Sequence, residues 1–196
     1  MNPQLPRLLG AVACLGMTTG PLPPRLHAQE AAASVMRASV TRASVIRPGI
    51  PASDGELTAA VQARVSRGDV LTGMRRFAAA QREYRDAAEL ARRQGHLPSF
   101  TLWHLASAYY YQGDHQRAAA VLEQLAAEAA RCGDLAVEAL ALFNAAWLNG
   151  EGGRGRTAAT QVADLTLLLR SPYMPVAVRD HLNARLTPPS AVALER

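Results

Sequence analysis

The stretch best suited to chemistry is Gly150-Glu151-Gly152-Gly153-Arg154-Gly155-Arg156-Thr157. Its spacing is that of a glycine-rich loop that cradles phosphate, with Arg156 where such a loop carries lysine. A phosphate cradle needs a strand before it and a helix after it, so that backbone N–H groups converge on the anion. Here the preceding residues read as helix, and no strand ending in a magnesium-holding Asp is evident. The expectation is therefore a turn between helices. The histidines offer no better site. His96 falls in a loop, His104 and His181 lie on helices, and His115 opens one. No pair has the i, i+4 spacing of a helical metal site, and no Cys supports them. A Ser-His-Asp set can be picked from any chain of this size, but no nucleophile elbow marks one here. The residues point to no catalytic group, no cofactor and no metal.

The elements that would position these residues are helices. After Ser53 the chain is punctuated by cap and breaker residues at helix-length intervals, and no segment alternates like a strand. Ser53 with Glu56 fits a capping box and predicts a helix from there to about Thr72. Further helices are predicted over about 76–93, 99–112, 115–131 and 134–148. The stops are Gly95 with Pro98, Gly113, Gly133 and a Gly-rich loop at 150–155. A sixth covers about 157–169, broken by Ser171-Pro172, and a short last one 175–186. Six helices with short links pair as antiparallel hairpins.

Composition bounds the rest. The 196 residues are 49% apolar and 19% charged, enough for a sizeable core. All 21 basic residues are Arg, which reads as coding bias rather than selection for guanidinium chemistry. The net charge of +5 sits mostly in the N-terminal part. Residues 54–196 carry about +1 with both signs interleaved, so the domain lacks the basic footprint of a nucleic-acid binder.

The N-terminus carries its own signals. Arg7 precedes an apolar run from Leu8 to Met17, too short to span a bilayer but suited to a secretory signal. Leu26-His27-Ala28 offers a cleavage site, so residues 1–28 are expected to direct export to the periplasm or outside the cell. No membrane-spanning segment then remains. Lipoprotein anchoring through Cys14 is a minor alternative. Cleavage leaves Cys132 alone, read as a small, partly buried residue at a helix end. Residues 33–47 repeat Ala-Ser-Val-x-Arg three times. A period of five matches neither helix nor strand, so 29–53 is expected to be a low-complexity basic linker. The helical domain then covers 54–186, and 187–196 is a disordered tail.

Within the helical part the sequence repeats itself. Leu102, Leu105, Ala106, Tyr109, Gly113, Ala118, Leu122 and Leu125 match Leu142, Ala145, Ala146, Asn149, Gly153, Ala158, Val162 and Leu165 forty residues later, all but Tyr109/Asn149 similar in character. A weaker earlier copy has Gly68, Leu71, Phe77, Ala80, Tyr84 and Ala87. It departs in Arg64 and Arg67, which stand at apolar positions, and in Arg75, which replaces the turn glycine. The pattern resembles the tetratricopeptide repeat over about residues 57–170, with spacings of 38 and 40 instead of 34. The resemblance implies an all-α fold of antiparallel helical hairpins, stacked as a short α-α solenoid with a C-terminal capping helix. A plain Ala-rich bundle is the alternative.

The resemblance also implies a function. The first helix of each hairpin would line a concave groove, with Trp103, Ser107 and Tyr110 on its face and Phe143 and Trp147 on the matching face one hairpin on. Aromatic anchors there suit a peptide or a partner helix. For Tyr110 and Trp147, packing between hairpins remains an equal reading. The expected function is a non-enzymatic scaffold in the cell envelope that binds a protein partner. The alternative is a helical small-molecule-binding or enzymatic domain with a pocket near His104 and the loop 150–155.

Overall fold

Every helix but the last ends in a glycine-sized conformational demand or a breaker, and these ends set the architecture. A computed structural model describes residue 50 and residues 52–186. The export signal, Cys14, the 33–47 repeat and the 187–196 tail lie outside the described residues. Seven α-helices occupy the described residues: α1 (Ala59–Gly73), α2 (Phe77–Arg93), α3 (Ser99–Gln112), α4 (His115–Cys132), α5 (Leu135–Glu151), α6 (Gly155–Leu168) and α7 (Val176–Leu186).

The first five turns share one construction. Arg75, Gly95, Gly113, Gly133 and Gly153 all have positive φ, between 58° and 88°. The following residue donates its N–H back five residues, as in Arg76 to Leu71, His96 to Ala91, Asp114 to Tyr109, Asp134 to Ala129 and Arg154 to Asn149, at 2.7–3.0 Å. This is the Schellman closure, which satisfies carbonyls that a helix end otherwise leaves unpaired. Asp114 and Asp134 then cap the next helix, accepting from Arg117 N and Val137 N. Arg75 keeps the same geometry without a glycine.

Each helix packs on its chain neighbour, from α1 on α2 through to α5 on α6, while α1 also touches α3 and α7 lies against α5. The result is a consecutive, solenoid-like stack of three antiparallel hairpins, α1–α2, α3–α4 and α5–α6, with α7 covering the far end. Small residues set the close approaches. Ala106, Ala118, Ala146 and Ala158 are at most 5% exposed. At Gly68 a Cβ would lie 2.4 Å from a ring carbon of Tyr84, so only glycine fits. Helices α3 and α5 are flanked on both sides and bury apolar residues all round, as Leu102, Leu105 and Ala108 do on α3.

Four expectations need correction. The first helix starts at Ala59, not at Ser53: Glu56 takes the Ser53 N–H at 3.2 Å, but the same carboxylate also caps a different helix. Its fully buried carboxyl group accepts from Phe100 N at 3.1 Å and from Thr101 N at 3.0 Å, at the start of α3. The packed unit reaches further back than residue 54, since Ile50 belongs to the main core and Ser53 bonds to Ser99. Cys132 is exposed. The Gly-rich loop contracts to Gly152–Arg154, because α5 runs on to Glu151 and α6 begins at Gly155. No helix among the described residues is long and apolar enough to cross a membrane.

Candidate functional site

An open pocket of about 190 Å³ lies where the first helices of two successive hairpins meet, lined by Asp69 and Thr72 of α1, Tyr84 of α2, and Trp103, His104, Ser107, Ala108 and Tyr111 of α3. Gly68 creates it in part, by letting the Tyr84 ring lie against the α1 backbone. Tyr84 then donates its hydroxyl to Asp69 Oδ1 at 2.7 Å, and Thr72 Oγ1 lies 3.2 Å from the same hydroxyl. His104 Nδ1 is 2.9 Å from the same Asp69 oxygen. An ionised carboxylate only accepts, so Nδ1 carries the proton.

The electrostatics follow from this geometry. Burial favours the neutral form of Asp69, but the hydrogen bonds from His104 and Tyr84 and the imidazole's charge outweigh it and hold the carboxyl below its ordinary value. Burial, with the neighbouring Asp69 acting in the same sense, keeps the Tyr84 phenol protonated well above its ordinary range. Asp69 stays half-exposed while the His104 side chain is 19% exposed. The imidazole sits between rings, 4.4 Å from Phe100 and 5.6 Å from Tyr84. His104 Nε2 is enclosed and bonds to nothing, and Trp103 Nε1 is likewise enclosed without a partner. The nearby Ser107 hydroxyl donates to the Trp103 carbonyl, at 2.9 Å. The Asp69–His104 pair fastens α1 to α3.

The chain matches no family model, no curated protein and no solved structure. The site therefore stands on its own geometry.

Of the five groove residues expected from the sequence, the structure brings two to this pocket, Trp103 and Ser107. Tyr110 is half-buried in a separate aromatic group, its ring 5.4 Å from His115 and 5.7 Å from Trp147. Trp147 and Phe143 pack inside the stack; Trp103 is as little exposed, at 4%, and differs from them in edging the pocket. Phe143 is lost to any groove for a definite reason. Helix α7 lies over that face of α5, and Leu182 joins Phe143, Leu165, Leu169 and Met174 in a second core. Asp69, Thr72, Tyr84, His104 and Tyr111 complete the pocket. The signal for Asp69 was present, because it precedes Ser107 by the 38-residue repeat. The signal for Tyr111 was not, since a third consecutive tyrosine carries no periodicity.

The other sequence candidates stay apart. The shallow surface beside the Gly-rich turn is lined by Gln112–Gln116 and Gly152 and shares no residue with the His104 pocket. His96 packs its ring against Gly55, His115 stacks on Tyr110, and His181 is exposed on α7. Among the described residues no group of three His, Cys, Asp or Glu is placed to hold a metal ion.

Proposed function

We propose that the chain is an exported, non-enzymatic interaction module, similar in plan to tetratricopeptide proteins, that binds a protein partner on the face formed by α1 and α3. The observation that carries this reading is the pocket at Trp103, His104 and Tyr111, where Tyr111 leaves 55% of its surface open beside aromatic walls. A rigid, open, aromatic-lined hollow between the first helices of adjacent hairpins suits an anchor side chain from a partner. Export rests on the sequence of residues 1–28.

The test is to fill the pocket while keeping the Asp69–Tyr84 and Asp69–His104 bonds, giving up only the Ser107 hydroxyl's bond to the Trp103 carbonyl. Ser107→Trp places a large ring in the hollow. Ala120→Trp, at an exposed position on α4, is the control. Capture of a partner by the full chain should be lost with Ser107→Trp and kept with Ala120→Trp, at unchanged helical circular dichroism. Equal capture by both contradicts the reading.

A small-molecule site is the second reading, favoured by the same pocket volume but now without the Gly-rich loop. Thermal-shift screening against nucleotides and divalent metals separates it: a shift that Ser107→Trp removes would support it.

A further inference from the structure

The chemistry of the pocket narrows what it can hold. Asp69 takes both of its hydrogen bonds, from Tyr84 and His104, on Oδ1. Its Oδ2 has no bonding partner among the described contacts, and half of the side chain is open. No Arg lines the pocket. Acids on the neighbouring α2 and α4 are answered by guanidinium groups, Glu83 and Asp86 by Arg64 and Glu128 by Arg92 at 2.8 Å, whereas Asp69 is answered by the His104 imidazole alone, on Oδ1. Around Asp69 the rings of Tyr84, Trp103 and Tyr111 line the pocket together with His104 and the small side chains of Thr72, Ser107 and Ala108. A carboxylate oxygen beside aromatic faces favours a cation, through charge and through the negative face of each ring. An anion would meet Asp69 with no basic side chain except His104 to offset it. The volume of about 190 Å³ holds roughly six waters' worth of liquid, close to the bulk of one long side chain.

We propose that the pocket takes a basic side chain of the partner, an arginine or lysine, with its charge at Asp69 Oδ2 and its apolar stem along Trp103 and Tyr111. This rests on the interaction-module reading and names the residue class it recognises. The Trp103 indole N–H sits in the pocket wall and reports on occupancy. The chain has two Trp, so a ¹⁵N indole spectrum holds two signals, Trp103 and Trp147.

The experiment titrates the full chain with N-acetyl-arginine methylamide, its neutral isostere N-acetyl-citrulline methylamide, and N-acetyl-norleucine methylamide. The Trp103 signal should move and saturate with the arginine probe, and move at least about tenfold less readily with the two neutral probes. Asp69→Asn keeps an acceptor for Tyr84 and His104 and should weaken the arginine probe by about tenfold. Equal response to arginine and citrulline, or no movement of Trp103 with any probe, overturns the proposal. The Ser107→Trp capture experiment judges the interaction-module reading separately, so the two can fail independently. The chain's own Arg37, Arg42 and Arg47 are a rival source of the charge. A triple Arg→Gln variant at these positions should leave the resting Trp103 signal and the arginine response unchanged. A shifted resting signal with tighter arginine binding would reassign the pocket to the chain's own N-terminal arm and overturn the partner assignment.

Discussion

Gly68 is the residue on which the pocket turns. Replacing it with alanine in a helix interior would ordinarily stabilise by up to about 1 kcal/mol. Here the added Cβ would meet the Tyr84 ring at 2.4 Å, and the ring of Tyr84, 1% exposed, is held by its hydroxyl on Asp69. Overpacking of this kind costs about 1–3 kcal/mol, so the steric effect wins and Gly68→Ala should lower stability in urea unfolding. It should also break the Tyr84–Asp69 bond. Asp69 itself predicts a pH effect. Its carboxyl is held below its ordinary value of 3.8, so its bonds contribute stability above that pH and lose it as pH falls through the lowered value. Glu138, raised by burial, works in the opposite sense. The difference between the chain and Asp69→Asn isolates the Asp69 part: the variant's stability should fall less between about pH 4 and pH 2. At this scale much was legible. Of the seven similar repeat pairs, five fall at buried or turn positions in both copies, while Leu142 and Val162 are half-buried where Leu102 and Leu122 are buried. Even the exception, Tyr109 against Asn149, occupies one structural place. Tyr109 is bonded by Arg85, and Asn149 bonds Glu123, 38 residues after Arg85, at 2.8 Å. The partner changed with the residue, and sequence periodicity in apolar character cannot show a paired polar exchange.

Among the helices and turns, the caps told nearly everything, and the misreadings arose where a cap reached across the fold. Glu56 does take the Ser53 N–H at 3.2 Å, as a capping box requires, yet the same carboxylate also closes the start of α3, 43 residues away at Ser99, and no helix starts at Ser53. Only tertiary packing decides that choice. Arg64 and Arg67 looked like flaws in the first repeat. They lie at its edge and pair with Glu83 and Asp86 of α2, so the hairpin is closed by charge where later copies use apolar contacts. Arg75 holds φ at 58°, at the place where Gly113 and Gly153 serve the later hairpins. A left-handed conformation costs a side-chain-bearing residue about 1–2 kcal/mol, less the entropy that glycine loses on folding. Arg75→Gly should therefore stabilise by up to about 1 kcal/mol, while Arg75→Ala should not. Thermal unfolding of the two variants checks this directly.

For the whole molecule, the stack was readable but its end was not. The repeat placed Phe143 and Trp147 on a groove continuing past α3. Helix α7 instead settles on α5 through Leu182, which is fully buried, and confines the open face to α1 and α3. Nothing in the short, weakly patterned sequence of α7 announces which face it will cover. Leu182→Ala should cost about 2–5 kcal/mol, loosen α7 and expose Phe143, seen as lowered stability with increased self-association by light scattering. The pocket at Asp69, in the other hairpins, should keep its geometry. Recognition on the α1–α3 face can be read from hydrogen–deuterium exchange of the full chain, with and without its captured partner. Added protection is expected over the C-terminal halves of α1 and α3, around Asp69 and Tyr111. Protection confined to α4 and α6, with α1 and α3 unchanged, would rule that face out.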